Sequence, residues 1–257
     1  MWADESGAIA GNGELFQRVA GGFDVLVIRW RRDAEAGLEQ FTRGSAHSAR
    51  TVAGELASVR QPQQPPAGWK YLWMVGESDV FSEVDQGVIR CDAADEAAIL
   101  QKPLSAPFNA GTRLGWSWKI DALPTAGDES ALSSHDYLSV AVEFDNGRDL
   151  TYFWSAGLAP ETSFPCPVST WRRRETHLVV RSGNSDLGRW MDEDRNLWND
   201  YAKAIGGSRP AGIVAVWLIA VSNFGHGHAR CEYRDLELIN GGGTPMRVTA
   251  RRETHGA

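Results

Sequence analysis

Several histidine and tyrosine residues lie at positions from which they could act as general acids or bases, and an arginine could orient the substrate. His135 precedes Asp136 and Tyr137 at a point where a loop is expected to enter a strand. A neighbouring carboxylate or phenol could set the tautomer of its imidazole, and Tyr152 would serve as a proton partner. The alternative for His135 is a surface histidine before a hairpin, and the alternative for Tyr152 and Trp154 is that both rings fill the core.

A second set lies at or on a predicted helix. Arg195 could clamp a substrate carboxylate, and Tyr201 or Asp200 could act as acid or base, with Asn196 beside them. The alternative is structural, because Arg195 and Asp200 could tie the helix to the rest of the fold through a buried ion pair.

Two histidines show metal-like spacing. His226 and His228 would share one face of a strand, so both imidazoles could bind one divalent ion, with Asp235 or His135 as a distant third ligand. The flanking glycines favour a flexible loop instead. We therefore predict no cofactor and keep a divalent metal as the alternative.

Aromatic residues are unusually numerous, with eleven Trp, nine Phe and five Tyr. Most are expected to fill a core, but exposed members could stack on a ligand. The candidate substrate-binding residues are Trp116, Trp118, Tyr137, Trp154, Asn196 and Asn223.

A basic triplet, Arg172 to Arg174, begins the strand that holds His177. A solvated strand edge is the default interpretation, and an anionic subsite for a uronate or phosphate is the alternative. The sequence contains no G-x-S-x-G, P-loop, G-x-G-x-x-G or H-E-x-x-H motif, which argues against serine-hydrolase and nucleotide chemistry.

Composition and charge narrow the function classes further. The 257 residues carry 26 Lys plus Arg and 33 Asp plus Glu, a net charge of -7 that argues against nucleic acid or a membrane as partner. No signal peptide is visible, so the expected location is the cytoplasm. Cys91, Cys166 and Cys231 show neither metal nor redox spacing and are expected to be reduced and buried.

The elements that must position these residues suggest an all-β protein with minor helices. We predict an N-terminal α/β extension over 1–66 that packs on a main domain at 67–240, which is followed by a tail at 241–257. Residues 61–66 are rich in Pro and Gln and mark the boundary between the extension and the main domain. The extension would hold a strand at 23–30 and short helices at 33–41 and 48–58.

In the main domain, short β-like runs recur with turn residues between them, a pattern typical of an antiparallel β-sandwich. The candidate strands are 71–75, 87–91, 97–101, 114–120, 137–144, 150–154, 175–180, 213–221 and 229–239. Strand 137–144 alternates, with one apolar face toward a core, whereas 213–221 is apolar on both faces and predicts a central strand covered on each side. Asp145 to Arg148 predicts a hairpin turn, and one helix is expected at about 194–205, with acidic residues 192–194 at its start and Gly206 at its end.

Several motifs together resemble the bacterial domain-of-unknown-function 3047 family over roughly residues 69–239. They are Leu114-Gly115-Trp116-Ser117-Trp118-Lys119, His135-Asp136-Tyr137, Tyr152-Phe153-Trp154, Arg195-Asn196 with Asp200-Tyr201, and Tyr233-Arg234-Asp235-Leu236. Of the acidic stretch usual after the family's central strand, only Asn223 is clearly retained. The resemblance implies a jelly-roll-like β-sandwich akin to carbohydrate-binding modules and lectin-like domains, with no assigned activity.

The sequence predicts two alternative functions. The first is a cofactor-independent lyase or hydrolase that acts on a carbohydrate or a small aromatic or terpenoid-like substrate, with His135, Tyr152, Arg195 and Tyr201 as catalytic residues. The second is a non-catalytic module that binds a carbohydrate or small molecule. The oligomeric state is open, with a homodimer as one option.

Overall fold

The computed structural model describes residues 2–3, 9–10, 33–44, 52–53, 56–57, 59–60, 64–75, 80–241, 243 and 245–250. The chain divides into two compact units, Met1–Gln64 and Pro65–Ala257. Within the described residues, no helix is long and apolar enough to cross a membrane.

The first unit contains a short antiparallel pair, β1 (Trp2–Ala3) with β2 (Ile9–Ala10), and helix α1 (Ala34–Thr42). The α1 helix lies close to the predicted 33–41. It begins after Asp33, whose side chain accepts a hydrogen bond from the Ala36 N–H at 3.1 Å. The predicted strand 23–30 and much of the predicted helix 48–58 lie outside the described residues.

The second unit is a β-sandwich of two sheets. Its strands are β3 (Lys70–Val75), β4 (Phe81–Asp85), β5 (Val88–Ala94), β6 (Ala97–Pro107), β7 (Arg113–Ala122), β8 (Tyr137–Phe144), β9 (Asp149–Ser155), β10 (Ser163–Pro165), β11 (Glu175–Ser182), β12 (Trp190–Asn196), β13 (Gly212–Val221), β14 (His228–Ile239) and β15 (Met246–Arg247). One sheet has seven strands in the order β10-β11-β9-β8-β13-β6-β3. The other has six in the order β12-β7-β14-β5-β4, with β15 paired to β14.

Strand β8 shows why two apolar layers form. Leu138, Val140, Val142 and Phe144 all belong to the core between the two sheets, as the alternation predicts. Tyr137 and Ala141 point to the other face of the seven-stranded sheet and join a second apolar layer there.

Strand β13 contributes to both layers, which confirms that it is a central strand covered on each side. The cover on its outer face is the segment that joins β9 to β11, residues 156–174, which we call the covering segment. Its Leu158, Phe164 and Trp171 pack against the second layer.

The turn between β8 and β9 follows the sequence signal. Gly147 has φ +74, and its N–H donates to the Phe144 carbonyl at 3.0 Å. The Asn146 side-chain oxygen accepts the Arg148 N–H at 3.1 Å. This turn sets Arg148 at the end of the sheet.

Two features differ from the sequence-based expectation. Strands β9 and β11 pair in parallel rather than antiparallel, because the covering segment carries the chain back across the sheet before β11 begins. Residues 190–196 form strand β12 instead of entering the predicted helix, since the Asp192 and Glu193 carboxylates accept hydrogen bonds from Ser117 and Trp118 across the β7 pairing.

Helix α2 is accordingly shorter than expected and spans Leu197–Ala204. Asn196 caps it by accepting the Asn199 N–H at 3.0 Å, and Gly206 follows with φ +70. Leu197 and Tyr201 bury its apolar side in the core between the sheets.

Candidate functional site

Beneath the covering segment lies a buried group of polar side chains. His135 enters it from the residues before β8, Cys166 from the covering segment just after β10, and His177 from β11. Their ligand-capable atoms all lie within 4.8 Å of one another, and all three residues are buried. We call these three residues the His–Cys cluster.

Hydrogen bonds orient His135. Its Nδ1 lies 2.6 Å from the Glu129 carbonyl oxygen, and its Nε2 lies 3.4 Å from Cys166 Sγ. Burial, together with the nearby His177, lowers the pKa of His135 to about 3. The imidazole is therefore neutral near pH 7 in this structure.

His177 is enclosed by aromatic rings. Phe164 stacks on it with 5.2 Å between ring centroids, and Tyr137 and His135 contact it edge-on at 4.8 Å and 4.9 Å. Neither ring nitrogen makes a hydrogen bond, although Nε2 lies 3.4 Å from Glu175 Oε1.

Two carboxyl groups adjoin the cluster on neighbouring strands. Glu175 of β11 is in register with Asp149 of β9, and the Thr151 hydroxyl lies 3.3 Å from an oxygen of each. Burial acts to raise the pKa of Glu175, but the adjacent His177 imidazole outweighs that effect and leaves the pKa of this carboxyl below its usual value. Burial, aided by the Glu175 charge, raises the pKa of Asp149 well above its usual value.

Arg174 balances the charge of this layer. Its guanidinium donates to Glu143 at 3.0 Å, lies 3.4 Å from Asp149 Oδ2, and sits over the rings of Trp171 and Trp217 at 5.0 Å and 5.2 Å. The last arginine of the basic triplet is therefore structural.

The other two arginines of the triplet face an open groove of about 590 Å³. The residues that line it are Arg148, Ser163, Phe164, Pro165, Arg172, Arg173, Thr176, Ala204 and Ile205. Arg148, Arg172 and Arg173 are the arginines of this lining, and all three are exposed. Among the described residues that line the groove, none is acidic. We call this feature the arginine groove.

Tyr152, Arg195 and Tyr201 lie on the inner side of the seven-stranded sheet, away from His135. Tyr152 donates to Asp200 Oδ2 at 2.9 Å, and Arg195 Nε donates to the same oxygen at 2.8 Å. Arg195 also donates to Glu161 at 2.7 Å, so the ion-pair alternative for Arg195 and Asp200 describes what this structure shows. Tyr201 accepts a hydrogen bond from Asn146 at 2.9 Å. The catalytic roles predicted for these residues stay predictions.

The candidate substrate-binding residues are mostly interior. Trp116, Trp118 and Trp154 belong to the core between the sheets, where Trp118 lies 5.6 Å from each of the other two rings. Tyr137 is also buried and donates to Glu175 at 3.1 Å. These rings are closed to solvent, and their binding role stays a prediction.

The two candidate asparagines differ in their surroundings. Asn196 caps α2, as described above. Asn223 lies in the loop after β13, and its side-chain oxygen is buried without a hydrogen bond among the described residues. In the same loop, the Phe224 and Gly225 N–H groups donate to Asp136 at 2.9 Å and 2.6 Å. Asp136 therefore orders this loop and makes no hydrogen bond to the His135 ring.

The histidines with metal-like spacing are exposed and separately paired. His226 Nδ1 lies 2.7 Å from Asp95, and His228 Nε2 lies 2.5 Å from Asp92. Among the residues that the structure describes, the group able to hold an ion is instead the His–Cys cluster. The divalent-metal alternative for His226 and His228 stays untested.

Sequence reasoning missed Cys166, His177 and Glu175. The three cysteines are free and buried, as expected, but only Cys166 lies against two imidazoles. His135 and His177 are separated by 42 positions, and Cys166 lies in a segment with no strand pattern, so spacing could not group them. The one local signal was the alternation of Glu175 and His177, which places both side chains on one face of β11.

The family model described as "Protein of unknown function (DUF3047)" matches residues 68–237. This chain belongs to that family. The assignment confirms the resemblance, and the two-sheet structure agrees with the jelly-roll-like β-sandwich that it implies. No curated protein matches the chain.

Among solved structures, the chain is similar to the xyloglucanase domain of NopAA from Sinorhizobium fredii, with a TM-score of 0.43 and 8% identity over 68% of this chain and 95% of that one. It is also similar to the catalytic domain of Humicola grisea Cel12A, with a TM-score of 0.39 and 10% identity over 67% and 93%. The family 11 carbohydrate-binding module of Clostridium thermocellum Lic26A-Cel5E gives a TM-score of 0.35 and 9% identity over 69% and 91%.

Proposed function

We propose that this chain binds a carbohydrate that carries negative charge, and that the ligand occupies the arginine groove. The observation that carries the proposal is the presence of three exposed guanidinium groups, from Arg148, Arg172 and Arg173, in one groove. None of the three forms an ion pair with a described residue, whereas Arg174 beside them is paired twice. Unpaired guanidiniums converging on one space favour a carboxylate or phosphate ligand.

The remaining lining fits a sugar ring better than a bare anion. Phe164, Pro165 and Ile205 supply apolar surface, and Ser163 and Thr176 supply hydroxyl groups that can donate or accept. A uronate residue has the same mixture, with apolar ring faces, hydroxyls and one carboxylate. The volume of about 590 Å³ lies within the range of small-molecule sites and would hold a short oligosaccharide.

A titration tests the proposal directly. Isothermal calorimetry would compare an oligogalacturonate, a neutral cello-oligosaccharide of the same length, and inorganic phosphate. We expect the oligogalacturonate to bind best, with affinity falling as salt rises from about 0.05 to about 0.5 M because exposed charges are screened. Equal binding of the neutral sugar contradicts the charge requirement, and equal binding of phosphate contradicts the carbohydrate.

Variants locate the site. Arg172→Ala and Arg148→Ala should each weaken oligogalacturonate binding about tenfold, the usual worth of one charged hydrogen bond. Arg189→Ala is the matched control, because it removes the same charge from an exposed arginine outside the groove. If Arg189→Ala weakens oligogalacturonate binding as much as the groove variants do, the binding is explained by general electrostatic attraction and the groove is not the site.

A lyase or hydrolase is the second candidate, favoured by the adjacent carboxyl groups of Asp149 and Glu175. Paired carboxyls are the usual acid and base in glycoside chemistry, and here they share one hydroxyl neighbour. Both are buried, so a substrate would have to displace the covering segment. Turnover of the oligogalacturonate, measured by product formation and lost in Glu175→Gln, would support catalysis; binding without product supports the module.

Two further expectations from the sequence, an aromatic or terpenoid-like ligand and the cellular location, need tests of their own. Small aromatic or terpenoid-like compounds belong in the same titration as a further arm. We also propose a cytoplasmic location, which fractionation of the native cells would test.

A further inference from the structure

We propose that His135, Cys166 and His177 bind one Zn²⁺ ion, which links the covering segment to the seven-stranded sheet. This inference is independent of the arginine groove. It rests on the geometry of the cluster, on the orientation of one imidazole, and on an unsatisfied second imidazole.

The donor set suits zinc. Two imidazoles and a thiolate are common ligands, with Zn–N near 2.0 Å and Zn–S near 2.3 Å, so tetrahedral donors lie about 3.5 Å apart. The distance between His135 Nε2 and Cys166 Sγ is 3.4 Å. The widest separation in the cluster is within 4.8 Å, so an ion would draw the donors together by about an ångström.

His135 already has the orientation of a ligand. A carbonyl oxygen only accepts hydrogen bonds, so the contact of 2.6 Å with the Glu129 carbonyl places the proton on Nδ1. The lone pair of Nε2 then points toward Cys166. Metal-binding histidines typically donate their other N–H to a carbonyl or carboxylate in this way.

His177 supplies the independent observation. It is fully buried, and neither ring nitrogen forms a hydrogen bond. A buried polar atom without a partner destabilises the folded state, and native structures contain few of them. A metal bond would satisfy one nitrogen of this imidazole.

Glu175 is the candidate fourth ligand. Its Oε1 lies 3.4 Å from His177 Nε2, and Tyr137 donates to the same oxygen at 3.1 Å, as an outer contact would to a ligand carboxylate. One carboxylate and one thiolate would balance the charge of Zn²⁺, with the Cys166 thiol proton released on binding.

The alternative role for this cluster is a Cys–His nucleophile. Such cysteines are partly exposed and have a lowered pKa. Cys166 is almost fully enclosed, with 1% of its surface exposed, so a substrate could not approach its sulfur directly. The geometry therefore favours a bound ion over an activated nucleophile.

Cobalt titration of the full chain tests the site. Protein stripped with a chelator, with its fold checked by circular dichroism, would be titrated with Co²⁺ alone and then with Zn²⁺ as competitor. We expect one equivalent of Co²⁺ to give a thiolate-to-cobalt charge-transfer band that Zn²⁺ removes. We also expect Zn²⁺ to raise the midpoint of thermal unfolding.

Variants make the assignment specific. Cys166→Ser should abolish the charge-transfer band and weaken Zn²⁺ binding at least tenfold, and His177→Ala should weaken it similarly. Cys91→Ala and His228→Ala are the matched controls, since each removes a cysteine or histidine outside the cluster, and both should retain the band.

Defined results of these experiments would overturn the zinc site or its assignment to these residues. Folded wild-type protein that shows neither a cobalt band nor a shift in thermal midpoint overturns the proposal, whatever happens to the variants. A band that survives in Cys166→Ser, or disappears in His228→Ala, overturns the assignment to these residues. Neither result bears on oligogalacturonate binding, which is measured separately.

Discussion

Phe164 stacks on His177 across the β10–β11 pair, with 5.2 Å between the ring centroids and 15° between the ring planes. Phe164 also lines the arginine groove. One short strand, β10, therefore separates an exposed groove from a buried polar cluster.

The arginine triplet should divide into one structural and two ligand-facing residues. Arg174→Ala leaves Glu143 and the buried Asp149 without their cation, and because Arg174 is 35% exposed we expect a loss of about 1–3 kcal/mol in the free energy of unfolding. Arg172→Ala should change that quantity by less than about 0.5 kcal/mol. Urea denaturation of both variants checks the difference, and equal losses would contradict it.

Tyr152 should contribute to stability through its hydroxyl group. Tyr152→Phe removes the buried hydrogen bond of 2.9 Å to Asp200, and we expect unfolding to become easier by about 1–2 kcal/mol. Oligogalacturonate binding should stay unchanged, because Tyr152 lies on the inner side of the sheet. Loss of binding or turnover in a stably folded Tyr152→Phe would instead support the catalytic role predicted from the sequence.

Lowering the pH should remove the stabilisation that the ionised Glu161 side chain gives to the folded state. Hydrogen bonds from Arg195 and then Lys203 lower the pKa of Glu161 from 4.5 to about 2, against the opposing effect of burial. A depressed folded-state pKa stabilises above the unfolded pKa, so this contribution is complete above about pH 5 and is lost as the pH falls toward about 2.

The matched variant is Glu161→Gln. Because the Glu161 side chain is 43% exposed, we expect it to be less stable than wild type by only about 1 kcal/mol at pH 7. That difference should shrink at pH 3 in chemical denaturation. A difference of the same size at both pH values would show that the ion pair does not cause it.

Gly227 should tolerate no side chain. A Cβ atom there would lie 1.8 Å from the Pro124 carbonyl oxygen, so Gly227→Ala must move the backbone, and we expect a loss of more than about 2 kcal/mol. Gly157→Ala is the control, since a Cβ there meets nothing within 4 Å, and its effect should stay within about 1 kcal/mol. Similar thermal midpoints for the two variants would contradict this explanation.

Local sequence determined the elements of the sandwich. Alternating residues along β8 decided which side chains face each layer, an apolar run made β13 central, and Asn146 with Gly147 set the turn, because side-chain direction in a strand depends only on residue position. Burial of the tryptophans between the sheets also followed their preference for a core. These properties need no knowledge of the neighbouring strands.

Tertiary packing decided the rest. The acidic residues 192–194 suit a helix start by themselves, but the Ser117 and Trp118 donors across β7 hold two of them in strand β12. Three consecutive arginines acquire different surroundings only because the covering segment returns over the sheet and half-buries the last of them, Arg174. His135, Cys166 and His177 lie together because the β8–β9–β11 order brings distant segments to one point. Side-chain periodicity is local, but the contacts that create a site depend on which strands become neighbours and on what covers them.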